Sequence, residues 1–260
     1  MRQKIKAAFF DIDGTLVSFT THSVPASARE AIARLRERGV KVFIATGRLL
    51  RHTDVVSDVE VDGYITVNGG YCLTSSGEVI YEQAFPQHVV ERILSLKEQH
   101  GFDMELMTHE NIYVEEITPM VQQAIDMVDI MPEIASLSDI ASKQKVFQVC
   151  PYIDHELEKE VLSQLPECVG SRWTDLFMDV NLRGMDKAIA ARNIMEYYGL
   201  SMDEAMAFGD GGNDVSLVRD VALGVAMGNA CDELKGVADY VTSSVDEDGI
   251  LRALEHFELI

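Results

Sequence analysis

The sequence predicts an α/β protein whose core is a doubly wound parallel sheet, interrupted by an inserted α+β segment. Three observations predict it. Short apolar strands alternate with helical stretches at both ends of the chain, a middle segment changes rhythm to hairpins and longer helices, and the core strands run directly into polar turns. Alternation of strand and helix makes parallel sheets, and open sheets of that kind bind ligands outside the carboxyl ends of their strands.

Residues 5–10 read as a short apolar strand ending in a polar turn at residues 11–15. Pro25 opens a helix in which Ala28, Ala31, Ile32 and Leu35 recur at helical spacing. Ser27 and Glu30 have the spacing of a capping box, and Gly39 supplies the stop. Residues 40–45 form a second strand ending in Thr46-Gly47-Arg48, and residues 64–67 a third ending in Asn68-Gly69-Gly70. The middle begins with residues 71–73 and 79–81 around Ser75-Ser76-Gly77, a hairpin signal. A helix over residues 87–100 stops at Gly101, followed by strands at 104–107 and 112–114 and a helix at 120–128. Next come a strand at 146–150, a helix at 154–165 with Asp154 as N-cap, and a strand at 177–180. The tail returns to the first rhythm. A helix through Ile189, Ile194 and Tyr197 stops at Gly199, a strand at 205–208 runs into residues 209–214, and short strands follow at 223–226 and 240–241. The expected division is a core made of residues 1–82 and 183–260 with an insert at 83–182.

Composition narrows the function. With 260 residues, 47% hydrophobic and 25% charged, the chain is ordinary globular material for one large domain or two modest ones. Forty-three acidic against 22 basic residues give a net charge of −21, which argues against a nucleic-acid partner. Any phosphate ligand must then be held by local devices. No apolar run approaches the roughly 18 residues a membrane span needs, and the short path from Met1 to Asp11 leaves no room for a signal peptide of the usual form. Cys72, Cys150, Cys168 and Cys231 form no C-x-x-C pair, so neither a zinc ribbon nor a disulfide framework is expected. A cytoplasmic location and a monomer, with no membrane partner, are the resulting expectations.

Four polar clusters lie just past predicted core strands: Asp11-Ile12-Asp13-Gly14-Thr15, Thr46-Gly47-Arg48, Lys187, and Gly209-Asp210-Gly211-Gly212-Asn213-Asp214. Asp11 and Asp13, two apart, would point the same way on a strand, and like charges so close need a reason. Together with Asp210 and Asp214 they make a knot of oxygen donors without His or Cys, the preference of a hard cation. Few protein ligands and an expected phosphate favour Mg²⁺, which keeps several waters, over a Ca²⁺ cage. Lys187, near the start of its helix, opposes the macrodipole at a cost of roughly 0.3–1 kcal/mol, which a nearby anion would turn into a gain. Thr46 offers a hydroxyl, Gly47 an unhindered N–H and Asn213 an amide donor to phosphate oxygens.

These four clusters resemble the motifs of the haloacid dehalogenase-like (HAD) superfamily. Residues 225–230 and Asp248-Gly249 also resemble its Cof-type branch, whose Rossmann-like core carries a large α/β cap of type IIB between the second and third motifs. The resemblance covers the chain and lies nearest bacterial hexose-phosphate phosphatases. It implies that Asp11 is the nucleophile and forms an aspartyl-phosphate, and that Asp13 protonates the leaving oxygen and then activates water. It implies that Thr46, Gly47, Lys187 and Asn213 hold the phosphoryl group. Mg²⁺ would be bound by Asp11, the backbone carbonyl of Asp13, Asp210 and, in support, Asp214. A carboxylate meeting a phosphate dianion at about 4 Å is repelled by roughly 8 kcal/mol at an effective dielectric near 20, about six powers of ten in rate if uncompensated. A dication and Lys187 would reverse that field.

A core that binds only phosphate has little selectivity, so the insert is expected to supply it, with Arg172, Trp173 and Asp179, and His109 and Asn111 on a loop, as the residues to touch a sugar. The expected function is a Mg²⁺-dependent phosphomonoesterase acting on a small-molecule phosphate ester, a phosphorylated sugar or related metabolite. A phosphohexomutase of the same superfamily is the alternative enzyme, and a non-catalytic phosphate-binding regulatory module the alternative of another class.

Overall fold

The structure, a computed structural model, describes residues 5–172 and 174–260. The chain divides into two compact units, Met1–Glu82 with Asp186–Ile260, and Gln83–Met185.

The first unit begins with β1 (Ala7–Phe10), α1 (Ala26–Glu37), β2 (Lys41–Ala45), β3 (Gly63–Thr66), β4 (Tyr71–Thr74) and β5 (Val79–Glu82). The second unit supplies α2 (Gln87–His100), β6 (Met104–Met107), β7 (Ile112–Val114), α3 (Pro119–Val128), β8 (Glu133–Ile134), α4 (Leu137–Lys143), β9 (Gln148–Pro151), α5 (His155–Ser163), β10 (Cys168–Ser171) and β11 (Asp179–Leu182). The chain then returns to the first unit with α6 (Lys187–Tyr197), β12 (Ala205–Gly209), α7 (Val215–Asp220), β13 (Leu223–Ala226), α8 (Asp232–Val237), β14 (Tyr240–Val241) and α9 (Gly249–His256).

Among the described residues the first unit holds one sheet in the order β14-β13-β12-β1-β2-β3-β4-β5, parallel from β14 to β3 and antiparallel in β4 and β5. β1 is buried along its whole length because helices cover both faces, the burden of a parallel sheet. Alternate side chains serve alternate layers. Ala8 and Phe10 join Val42, Ile44, Met206 and Phe208 against α1 and α9. Ala7 and Phe9 join Phe43, Ala45, Ala205 and Ala207 against α6 and α7. Stacked rings lock the centre: Phe10 on Phe208 at 4.8 Å and Phe9 on Phe43 at 5.1 Å between centroids. The first connection leaves β1 toward β2, whereas the returning chain enters at β12 on the opposite side. That reversal is a topological switch point, and it opens a crevice past the ends of β12, β1 and β2.

The second unit has its own sheet, β10-β11-β9-β6-β7-β8, antiparallel except for the β7–β8 pair. α2, α4 and α5 pack on one face through Val89, Ile93, Leu137 and Val161 against Leu106, Val149 and Val180. Two strands start two residues later than their apolar runs predict, at Gln148 and Asp179. Phe147 and Met178 still donate backbone N–H groups to the Met107 and Pro151 carbonyls at 2.9 and 3.2 Å, so pairing runs on past the regular ladders, and both side chains are buried, as is Phe177. The predicted capping box is also absent. Pro25, with φ already set for a helix, is the N-cap of α1, and the Ser27 hydroxyl donates to Asp248 at 2.6 Å. Among the described residues no helix is long and apolar enough to cross a membrane.

Candidate active site

Parallel pairing assembles the site. Phe10 is level with Phe208, so Asp11 leaves β1 beside Gly209, the last residue of β12, with Asp210 next along the chain. β2 flanks β1 on the other side, and its end delivers Thr46 and Gly47. Asp11 and Asp210, distant in sequence, thus reach one rim because their strands are hydrogen-bonded neighbours.

Carboxylate oxygens of Asp11, Asp210 and Asp214 lie within 4.8 Å of one another. Each is held by a different device. Asp214 Oδ2 accepts the backbone N–H groups of Asp210 and Gly211, both at 3.0 Å. Asp210 accepts the Thr15 hydroxyl at 3.2 Å and the Asn229 amide at 3.4 Å. Asp11 Oδ1 accepts Lys187 Nζ at 2.7 Å, and the same ammonium donates to Asp214 Oδ1 at 2.6 Å. Lys187 is fully buried in the first turn of α6, which Asp186 caps by accepting the Ile189 N–H.

Three carboxylates against one ammonium leave an excess of negative charge in a low-dielectric place. Raised carboxyl pKa values at Asp11 and Asp210 follow from it. Burial pushes the Asp11 pKa up to about 8, with Lys187 pulling it back and Asp214 and Asp210 adding to the rise. Burial and the Asp214 charge push Asp210 up to about 7, against the Thr15 hydrogen bond and Lys187. Burial alone would lower the Lys187 pKa, but Asp11 and Asp214 outweigh it and hold the ammonium charged.

Glycine is required where the cluster is tightest. A Cβ on Gly14, whose φ is +78°, would stand 2.2 Å from Asp210 Oδ2, and one on Gly209 would stand 2.5 Å from the Asp214 side chain. Gly14→Ala is therefore expected to cost about 1–3 kcal/mol and to displace Asp210. Urea unfolding together with a Mg²⁺ titration checks both effects, and an unchanged midpoint and unchanged metal affinity would refute the packing argument.

Asp13 stands apart from the cluster. Its two oxygens accept the Arg48 guanidinium side-on, Nε at 2.8 Å and Nη2 at 2.6 Å, while Arg48 Nη1 donates to the His52 carbonyl. Thr46 is buried, and its hydroxyl oxygen accepts the Arg48 N–H at 3.1 Å. Asn213 donates to Asn68 Oδ1 at 3.0 Å, and that same oxygen would lie 2.9 Å from a Cβ on Gly47. Asn68 therefore joins the Thr46-Gly47 turn to the turn bearing Asn213. It follows Val67, and both adopt left-handed backbone, φ 50° and 54°, a strain that persists only when surroundings impose it. A Cβ on Gly69 would meet the Asp186 carbonyl at 2.4 Å, so this strained segment also abuts the start of α6.

Sequence reasoning gave no site role to Thr15, Arg48, Asn68 or Asn229, Asn68 being read only as part of a glycine-containing hinge at the edge of the insert. Arg48 and Thr15 sat inside the quoted motifs, but their carboxylate partners are long-range. Asn229 donates to the Gly14 carbonyl at 2.8 Å across 215 positions of chain. In the second unit, Arg172 spends its guanidinium on Glu158 and on the carbonyls of Ile153, Asp175 and Phe177. Asn111 is buried in the β6–β7 turn and accepts the Ile112 N–H, and His109 meets the Phe147 ring edge-on. Asp179 accepts the Gln148 amide at 3.2 Å and the Cys150 thiol at 3.3 Å. Trp173 lies outside the described residues.

A parallel sheet with buried carboxylates and an ammonium at its switch point defines a class of enzyme that handles anionic groups. Residues 8–254 match the model of the haloacid dehalogenase-like hydrolase family, and the chain belongs to that family. The solved structure of the HAD-superfamily phosphatase BT1666 from Bacteroides thetaiotaomicron superposes with a TM-score of 0.93 at 36% identity, covering 99% of this chain and 97% of that one. The HAD subclass IIB sugar phosphatase BT4131 superposes with a TM-score of 0.88 at 41% identity, over 98% of this chain and 100% of that one. The 5-amino-6-(5-phospho-D-ribitylamino)uracil phosphatase YcsE of Bacillus subtilis is 28% identical over 98% of this chain and 96% of its own. The fold is that of the subclass IIB phosphatases, and the chain is a phosphatase.

Proposed function

We propose that the chain hydrolyses phosphomonoesters of small sugars or related metabolites with Mg²⁺, through a phosphoryl group carried on Asp11. The observation that carries the reading is the convergence of Asp11, Asp210 and Asp214 on one another and on a buried Lys187. The donor set fits a hard dication: carboxylate oxygens only, mutually close, and negative in sum. Asp11, Asp210 and the Asp13 carbonyl would hold Mg²⁺, with Asp214 in support. Bound there, the ion supplies positive charge against the oxygens of an incoming phosphate.

The chain's own residues divide the work. Lys187, Thr46, Gly47 and Asn213 bind and orient the phosphoryl group. An Asp11 oxygen forms a bond to phosphorus as the ester oxygen leaves, and Asp13 gives that oxygen its proton. Asp13 then takes a proton from water, whose oxygen attacks phosphorus and restores the Asp11 carboxylate. Asp13 must leave the Arg48 fork to do this, so Arg48 sets where Asp13 rests between turnovers. The second unit supplies selectivity for the leaving group. Asp179 is the residue we assign to direct recognition of that group, whereas Arg172, whose guanidinium is taken up by Glu158 and three backbone carbonyls, acts by holding its own loop.

Phosphate release from a panel of sugar monophosphates, with Mg²⁺ and no bisphosphate, tests the reading. Turnover of at least one hexose or pentose phosphate is expected. Turnover that waits for a bisphosphate primer would instead assign the chain to the phosphohexomutases. A purely regulatory module gains nothing from Asp11 and Asp13, and both are present.

A pH dependence follows from the raised carboxyl groups. Asp11 and Asp210 keep protons up to about 8 and about 7 in the metal-free protein, and a dication must displace them. Apparent Mg²⁺ affinity should therefore rise from pH 6 to pH 8, by roughly tenfold per unit for each proton released. Titrations at pH 6, 7 and 8 read the slope, and a flat affinity would contradict the assignment of these groups as ligands.

A further inference from the structure

Residues 242–248 join β14 to α9 and contribute no member of the Asp11–Asp210–Asp214 cluster, yet their bonds run toward it. The segment is first fixed upon itself. The Thr242 hydroxyl donates to the Gly249 carbonyl at 2.7 Å, and Ser244 and Glu247 form a capping box. Val245 is buried in the same apolar cluster as Ile12, Leu16 and Met227. The Gly228 N–H donates to the Ser243 carbonyl at 3.0 Å, and a Cβ on Gly228 would stand 2.6 Å from the Ser244 nitrogen.

This segment grips the chain that follows β1 at two places. The hydroxyl of Ser18, which is fully buried, donates to Asp246 at 2.6 Å, and that of Ser27 donates to Asp248 at 2.6 Å.

Asn229 carries the connection to the acidic cluster. Its Oδ1 accepts the Val245 N–H at 3.1 Å, and its Nδ2 donates to the Gly14 carbonyl at 2.8 Å and to Asp210 Oδ2 at 3.4 Å. One amide, with two N–H groups and one carbonyl, thus faces three separate stretches of chain. Asp210 has a donor at each oxygen, since its Oδ1 accepts the Thr15 hydroxyl at 3.2 Å. The terminal torsion of an aspartate is broad, so the plane of its carboxylate is set by what it bonds to. Both donors belong to one assembly: Thr15 follows Gly14, and Asn229 holds the Gly14 carbonyl. Asn229 itself is exposed, so it adds little to the core. Water could replace its hydrogen bonds but could not fix where Asp210 points.

We propose that Asn229 is a positioning residue for the metal site: it ties the 242–248 segment to the Gly14 turn and to Asp210, and so sets the orientation in which Asp210 meets a dication. The inference rests on the Mg²⁺ reading above and extends it to a residue outside the four polar clusters. Groups that orient metal ligands from behind are worth about 10–100-fold in metal affinity.

Mg²⁺ binding to the parent, Asn229→Ala and Asp246→Ala, measured by calorimetry beside thermal unfolding in EDTA, tests it. Both variants lose a bond of the 242–248 segment, so both midpoints should fall, but only Asn229 reaches Asp210. Asn229→Ala should bind Mg²⁺ about tenfold or more weakly, while Asp246→Ala stays within about twofold of the parent. At saturating Mg²⁺ the turnover of Asn229→Ala should return to within about threefold of the parent. Unchanged affinity in Asn229→Ala would overturn the proposal. Equal weakening in Asp246→Ala would do the same, because general loosening of the segment would then explain the effect. A turnover deficit that no Mg²⁺ concentration restores would also overturn it. Failure of the metal reading shows separately, as absence of Mg²⁺ binding by the parent, and takes this inference with it.

Discussion

Asp11→Asn is expected to lower phosphate release by about 10⁴-fold or more, with the protein still folded. The amide keeps the shape of the side chain but cannot form an acyl phosphate, so the covalent route closes. Stability should move the other way. Asp11 is buried, and its pKa is raised to about 8. A group whose folded pKa lies above its unfolded value stabilises while protonated, and that contribution is lost as pH rises through the folded value. Near pH 8 without metal, the ionised Asp11 therefore works against the fold, and the neutral amide removes the penalty. Lys187 keeps Asp214 as a partner at 2.6 Å, so no buried ammonium is stranded. A thermal midpoint equal to or above that of the parent, together with lost turnover, would mark Asp11 as a chemical residue. Retained turnover would remove it from the mechanism.

Lys187→Met should damage both properties. The ammonium is fully buried between Asp11 and Asp214, themselves buried, and an apolar replacement leaves two carboxylates facing each other. Removing one partner of a buried ion pair costs about 3–5 kcal/mol. At roughly 2–4 °C per kcal/mol for a domain of 150–250 residues, the midpoint should fall by about 6–20 °C. Turnover should fall by about 10²-fold or more, since a cation facing the transferred group is lost. Lys187→Arg should restore part of the stability but not the turnover, because it keeps the charge while its broader planar guanidinium must displace the carboxylates that Nζ meets at 2.7 and 2.6 Å. Thermal unfolding read beside phosphate release separates the two effects. An unchanged midpoint would show that the acidic cluster is discharged by something other than this lysine.

These contrasts show which parts of the molecule local sequence can reveal. The strand ends were legible because a parallel strand buried on both faces is a continuous apolar run, and the residue where polarity begins marks the rim. Asp11, Thr46 and Asp210 all fall at that transition. The joining of Asp11 to Asp210 followed from topology alone. What was not legible is set by partners far apart in the chain. Nothing near Ser27 announces Asp248, and nothing near Asp13 shows that Arg48 will grip it from 35 positions away. The second unit was read less sharply for another reason. Phe147, Phe177 and Met178 carry buried, strand-like apolarity into residues where only single backbone bonds, such as Phe147 N–H to the Met107 carbonyl, continue the pairing, so regular β9 and β11 begin later than predicted. α4, a seven-residue helix with two buried side chains, is too short for its periodicity to stand out.

The measurement that most directly tests the central claim is phosphate release by the intact chain after exhaustive EDTA treatment, followed by Mg²⁺ add-back. The account predicts a loss of at least about 10²-fold, restored by Mg²⁺ in the parent but not in Asp210→Asn at the same metal concentration. Full activity in EDTA, or equal restoration of both proteins, would contradict it.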